Sequence, residues 1–222
     1  MEGYTHGPGY REVEERQGSS RSVTDLFRLD KRTIIVTVAG GDWGTAIIDA
    51  IPESGGDVVG LDLDNVHLDV EAELKQETWE HIQATAEKYA RKVAYYPLDV
   101  TDEKTVNVIF SSFIPTLRYP VRGLVSVAGM GYLGSATVFE ASNFGSVAIH
   151  QLVRSLAAEW GSRLEMPLIR VPGVESAWSE EKMLNQLSTP DKYRAPVIFM
   201  LGDGSSFVTG ADLRVDGGHC AW

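Results

Sequence analysis

The stretch Thr33-Ile-Ile-Val-Thr-Val38 is short, β-branched and almost wholly apolar, and it runs directly into Ala39-Gly-Gly-Asp-Trp-Gly44. A strand with no polar face must be covered on both sides, which places it in the middle of a parallel sheet flanked by helices. The glycines are followed by a segment with Ala46, Ile47, Ala50 and Ile51 at helical spacing. Strand, glycine turn and helix N-terminus together aim backbone N–H groups and the positive end of a helix dipole at one point, the arrangement that receives a pyrophosphate.

The rest of the chain alternates in the same way. Asp57 to Leu61 reads as a second strand. Glu71 to Lys92 carries Leu74, Trp79, Ile82 and Tyr89 at roughly helical spacing, and Lys92 to Pro97 is a third strand. Glu103 to Leu117 reads as a helix with Val106, Ile109, Phe110 and Phe113 inward, and Gly123 to Ala128 as a fourth strand. Phe144 to Trp160 is strongly amphipathic, with Ser142 or Asn143 placed to cap it. Leu168 to Val171 is a further strand, Pro190 to Leu201 a helix begun by Thr189-Pro190, and Leu213 to Val215 a final strand. This alternation predicts one α/β domain over residues 23–222, a doubly wound parallel sheet of about six strands. Residues 1–22 are polar, charged and glycine-bearing, and are predicted to form a flexible tail.

Composition narrows the function. With 20 basic against 31 acidic residues, the formal charge of −11 opposes binding to nucleic acid, which needs clustered Lys and Arg. One cysteine, Cys220, leaves no internal disulfide, and the N-terminal residues contain no apolar run to serve as signal or anchor, so the expected compartment is the cytoplasm. The five histidines lack ligand spacing and no metal site is expected.

The ending Phe207-Val-Thr-Gly-Ala-Asp-Leu-Arg-Val-Asp-Gly-Gly218 resembles the last strand and tail of the short-chain dehydrogenase/reductases, and the longer stretch 189–222 is similar to fungal sorbose and polyol reductases of that family. The resemblance runs over residues 23–222 and implies a Rossmann-like fold, an NAD or NADP cofactor and a small carbonyl or alcohol substrate. The family's turn reads Thr-Gly-x-x-x-Gly-x-Gly, and Thr37, Val38, Asp42 and Gly44 stand at those positions, so two of three glycines are replaced. Shifted by one register, Ala39-x-Gly41-x-x-Gly44 matches the general Gly-x-Gly-x-x-Gly spacing with only the first glycine changed. Asp62 follows the second strand 18 residues after Gly44, where an acidic side chain accepts from the adenosine ribose and disfavours a 2′-phosphate, pointing to NAD over NADP. The family's adenine-contacting Asp-Val pair matches Asp99 and Val100, and its Asn-Ala-Gly matches Val127, Ala128 and Gly129. Aspartates at strand ends also serve simply to start turns.

The catalytic end departs from the family. Its Tyr-x-x-x-Lys pair is absent: none of the eight tyrosines has lysine four residues later. Aligned without gaps, the helix Phe144 to Trp160 puts Ser142 and Ser146 at the tyrosine and lysine positions, and matching Ala141-Ser142-Asn143 to Ala-Ser-Lys gives Phe139 and Asn143 instead. No catalytic residue is assigned; Tyr132 is the nearest candidate acid. Ser142 follows Gly129 by only 13 positions, whereas a further crossover helix with its strand needs about 30 residues. One helix-plus-strand unit is therefore predicted to be missing, with a second gap after Arg170-Val-Pro-Gly173. The reading is an oxidoreductase of sugar, polyol or secondary metabolism by descent, with the family's active site lost. Its alternatives are a non-catalytic dinucleotide-fold protein that pairs as a homo- or hetero-oligomer, or an incomplete gene product.

Overall fold

The computed structural model describes residues 21–37, 39–63, 71–99, 102–127, 168–170, 183–184, 188–209, 211 and 213–218. The expected tail up to residue 20 and the amphipathic helix 144–160 lie outside the described residues. The described part opens with a short helix α1 (Val23–Leu26), capped by the Ser22 hydroxyl, which accepts from the Asp25 N–H at 3.1 Å. Five strands follow among the described residues, β1 (Thr33–Thr37), β2 (Asp57–Asp62), β3 (Val93–Pro97), β4 (Val121–Ser126) and β5 (Leu168–Arg170). The helices between and after them are α2 (Asp42–Glu53), α3 (Glu71–Lys88), α4 (Glu103–Phe113) and α5 (Asp191–Leu201).

All strand pairs are parallel and the order is β3-β2-β1-β4-β5. The order reverses between β1 and β4, the switch point where an open α/β sheet leaves a crevice beyond its C-terminal edge. The predicted doubly wound arrangement follows from strict alternation of side chains. Ile34 and Val36 of β1, Val58 of β2, and Val125 with Val127 at the end of β4 share one core with Ile47, Ile48 and Ile51 of α2, Ile82 of α3 and Val197, Ile198 and Leu201 of α5. Ile35, Val59 and Leu61 face the other way and pack with Phe113 of α4. Complete burial of each such aliphatic side chain contributes about 1.5–3 kcal/mol, and β1 is covered on both faces, as its composition demands.

Close packing also explains two strand glycines. A Cβ on Gly60 would stand 2.8 Å from the Ala39 Cβ, and one on Gly123 would stand 2.5 Å from Leu201 Cδ2. Neither position has room for a side chain, so helix-side contacts at these points are made through bare backbone.

Two expectations need correction. Leu213 to Val215 is not a strand: Leu213 is half exposed, and the segment lies near Leu184, whose N–H donates to the Gly217 carbonyl at 3.1 Å. The described sheet ends at β3 and β5, and neither edge carries a ladder to these residues: Leu213 and Arg214 stay exposed, without the burial that a paired strand of this sheet brings. Tyr89 is not on the buried face of α3, because the helix ends at Lys88 and Ala90 turns through φ 53°, leaving Tyr89 exposed with the Lys88 Nζ over its ring at 5.1 Å.

Ion pairs gather at the N-terminal ends of the strands, opposite the crevice. Asp57, at the start of β2 and buried, accepts from Arg118 Nη2 at 2.7 Å, Arg118 Nε at 3.1 Å and the Lys92 N–H at 3.0 Å. Arg32, just before β1, donates to the Leu201 carbonyl at 2.9 Å and pairs with Asp203, which also holds Arg21. Asp30 joins Arg28 at 2.7 Å and Arg91 at 3.1 Å. These contacts tie the first helix, the strand entries and the end of α5 together.

Candidate nucleotide site

The sheet brings the C-terminal ends of four strands level. Thr37 pairs with Leu61 on one side and Ser126 on the other, and Asp62 pairs with Pro97. Thr37 stands at the switch point, and its Oγ1 accepts from the Val127 N–H at 3.3 Å, closing β1 onto the end of β4. The chain then bends over β2: the Ala39 N–H donates to the Leu61 carbonyl at 3.2 Å, and the Gly40 N–H donates to Asp62 Oδ2 at 2.8 Å. The other carboxylate oxygen, Oδ1, accepts from the Leu63 N–H at 2.8 Å. Two backbone donors thus hold the Asp62 carboxylate at the lip of the crevice, and the chain next donates back through Leu98 N–H to the Asp62 carbonyl at 2.6 Å.

Gly40, which the motif count did not single out, is the glycine this geometry depends on. Its requirement is space: a Cβ there would lie 3.0 Å from Asp62 Oδ2. Gly41 has a different role. It is the N-cap of α2 in ordinary extended conformation (φ −81°, ψ 164°) with no side-chain cap, and its carbonyl accepts from the Thr45 N–H at 2.9 Å. The first-turn N–H groups of α2 therefore face outward with no side chain in the cap position to accept from them, which favours an anion there. Gly44 is buried in that first turn.

Asp42 is exposed at the first position of α2 and puts a negative charge where a diphosphate would lie; two like charges about 5 Å apart repel by roughly 1 kcal/mol in water. Asp99 is exposed beyond β3 on the same edge, and its carbonyl accepts from the Asp102 N–H at 3.1 Å. Asp102 caps α4 with its side chain, and the Thr105 hydroxyl bonded to it at 2.6 Å holds its carboxyl below the usual carboxylate range. Thr37, Gly41, Gly44, Asp62 and Asp99 thus share one edge of the sheet, while Val100, Ala128 and Gly129 lie outside the described residues, as do Tyr132, Phe139, Ser142, Asn143 and Ser146.

Sequence reasoning also missed a pair beside the turn. Trp43 in the first turn of α2 meets Tyr193 in the first turn of α5 edge-on, with ring centroids 4.5 Å apart. Tyr193 is 3% exposed, and its hydroxyl has no hydrogen-bond partner among the described residues. The sequence signal was Tyr193 standing in the buried position of an otherwise aliphatic helix face.

Known proteins agree with this architecture. The chain is 42% identical to a short-chain dehydrogenase/reductase of Aspergillus versicolor over 294 positions, covering 100% of this chain and 98% of the relative. The chain belongs to the short-chain dehydrogenase/reductase family. An alignment of 294 positions against a chain of 222 residues leaves about 72 positions of that family member with no counterpart here. A galactitol 2-dehydrogenase (L-tagatose-forming) of Cereibacter sphaeroides is 24% identical, covering 89% of this chain and 98% of its own. Among solved structures, the NADPH-dependent 3-quinuclidinone reductase of Rhodotorula rubra superposes with a TM-score of 0.73 at 18% identity, covering 97% of this chain and 100% of its own. A short-chain type dehydrogenase/reductase from Mycobacterium marinum gives 0.72 at 16%, covering 90% and 99%. These structures share the Rossmann-like family fold. No protein-family model matches the chain. Among the described residues there is no helix long and apolar enough to cross a membrane and no cluster of metal-binding side chains.

Proposed function

We propose that the chain binds a nicotinamide adenine dinucleotide through its adenosine half and descends from oxidoreductases of sugars and polyols, with the family's Tyr-x-x-x-Lys chemistry lost. The observation that carries the proposal is the Asp62 carboxylate, held by the Gly40 and Leu63 N–H groups at the lip of the switch-point crevice. The residues fit the group at this end. Asp62 retains acceptor capacity for ribose hydroxyls, Gly40 keeps the approach clear, and the uncapped first turn of α2 presents N–H groups to phosphate. A carboxylate at that point repels a 2′-phosphate, so NAD is the preferred form. Asp42 weakens the diphosphate contact without removing the ribose contact.

When bound, such a cofactor supplies a hydride donor or acceptor. The substrate class is read from relatives described as a galactitol 2-dehydrogenase and an NADH-dependent L-xylulose reductase, which point to a polyol or ketose. No tyrosine is followed four residues later by lysine, so the acid that would protonate a ketose oxygen has no counterpart of the family's kind. Calorimetric titration of the purified protein with NADH and NADPH tests the reading. NADH binding in the micromolar to millimolar range, tighter than NADPH, with turnover of polyols near background, is the expected result. Absence of binding at millimolar NADH overturns it.

The length difference from the Aspergillus versicolor relative supports a second reading, an incomplete gene product. Sequencing the transcript across 129–142 and 170–174 decides between them, since a continuous message removes that explanation.

A further inference from the structure

Strand β3 carries two adjacent tyrosines on opposite faces of the sheet. Tyr96 stacks on Phe113 of α4, with centroids 5.1 Å apart and planes 20° from parallel. Tyr95 faces the α2 side and is 37% exposed, a bulky aromatic in a row that its neighbours fill with small or aliphatic residues. Its ring lies across Gly60: a Cβ on that glycine would stand 3.3 Å from Tyr95 Cδ2. Trp79 of α3 meets the ring edge-on at 5.7 Å, bracing it from the outer side. A β-branched residue at Gly60 would exclude the ring, so the glycine in β2 and the tyrosine in β3 are a matched pair.

The consequence of this placement is at the far end of the ring. The point where a Gly40 Cβ would stand is 3.9 Å from the Tyr95 hydroxyl and 3.0 Å from Asp62 Oδ2. The phenol and the carboxylate therefore border the same side of Gly40, at the crevice edge where the adenosine ribose is proposed to bind. A carboxylate only accepts hydrogen bonds, whereas a phenol both donates and accepts. A vicinal diol offers two hydroxyls that each donate and accept, and such a pair of groups is complementary to it. A terminal phosphate monoester is not, because the carboxylate would face its negative charge.

We propose that Tyr95 is a positioning residue of the nucleotide site: its hydroxyl holds the ribose diol of the bound adenosine beside Asp62, and its ring, braced by Trp79, walls the adenosine end. The inference rests on the nucleotide-binding reading and adds a residue that the glycine and aspartate motifs do not include.

The test uses the full chain, calorimetry, and the probes NADH, ADP and 2′,3′-dideoxy-ADP. Tyr95→Phe keeps the ring and removes only the hydroxyl; Tyr96→Phe, on the opposite face, is the control. Tyr95→Phe weakens NADH and ADP binding about three- to tenfold, the range expected for one hydrogen bond, while Tyr96→Phe changes them less than about twofold. The preference of the wild type for ADP over the dideoxy analogue narrows by a similar factor in Tyr95→Phe, which a merely structural role for the ring would not produce. A Tyr95→Phe variant with wild-type affinity and an undiminished diol preference overturns the proposal and leaves the nucleotide site standing. A wild-type protein that binds neither NADH nor ADP at millimolar concentration overturns the site itself, and this inference with it. Should Tyr95→Phe lose its cooperative melting, the wild-type diol preference decides alone: equal affinity for ADP and its dideoxy analogue overturns the proposal.

Discussion

Gly40→Ala isolates the contact on which the site is built. The added Cβ would stand 3.0 Å from Asp62 Oδ2, closer than carbon and oxygen normally approach, and the atom it meets is the far end of a side chain that can rotate away. The cost is therefore set by the hydrogen bond that rotation breaks, the 2.8 Å contact from the Gly40 N–H, and not by the clash. A charge-assisted bond of this kind contributes about 1.5–3 kcal/mol when buried; Asp62 is only half buried and water replaces part of it, so about 1–1.5 kcal/mol is expected. Alanine also restricts the unfolded chain, which returns about 0.4–1 kcal/mol. Urea denaturation should accordingly show a loss of no more than about 1 kcal/mol with an unchanged m-value. The local effect is larger: the Gly40 amide should exchange its proton faster by about five- to tenfold, and NADH affinity should fall about tenfold as the carboxylate leaves the ribose position. A variant with wild-type NADH affinity and unchanged amide protection refutes the reasoning, because Asp62 would then not depend on the turn.

Other perturbations address the frame around the site. Tyr193→Phe removes a buried hydroxyl that lacks a partner among the described residues and keeps the Trp43 contact, so it should stabilise by about 1 kcal/mol and raise Tm by about 2–4 °C in calorimetry; destabilisation of that size would reveal a bound water or another partner. Arg118→Ala strands the buried Asp57 carboxylate with only the Lys92 N–H and should cost about 2–3 kcal/mol in urea denaturation, below the usual figure for a fully buried pair because the guanidinium is a third exposed. Burial pushes the Asp203 carboxyl up, but hydrogen bonds from Arg32 and Arg21 outweigh it and hold the group below the usual carboxylate range. A depressed native value means that the contribution is complete above the unfolded-state value of about 4 and is lost as pH falls through the native one. The stability gap between wild type and Asp203→Asn should thus be full at pH 7 and shrink below pH about 4, measured by urea denaturation at each pH; a gap that does not change with pH contradicts the ion-pair account.

The sheet was legible because its strands are extreme in composition. Thr33 to Thr37 and Asp57 to Leu61 are covered on both faces and are rich in β-branched and aliphatic residues to match, whereas Leu213 to Val215 looks equally strand-like and joins no strand among the described residues, since pairing depends on a neighbour that a sequence does not display. Asp62 stood out as a candidate by its distance from the glycines. Gly40 did not, because the motif counts glycines needed for conformation, and Gly40 is needed for clearance. Tyr95 and Tyr193 were hidden for another reason: hydrophobic spacing treats an aromatic ring as core and is silent about where its hydroxyl ends.

The distribution of charge along the strands has a mechanical meaning. Arg32, Asp57, Arg118, Asp30 and Arg91 fasten the sheet at one margin, while among the described residues the opposite margin is held by contacts without an ion pair, such as Thr37 to Val127. The sheet is bound like the spine of a book, and its fore-edge is where the crevice opens. Thermal breathing should start there, so a ligand seated across the ends of β1, β2 and β4 would act as a clasp. Changes of sequence at the fore-edge can then alter what is held without loosening the binding of the pages.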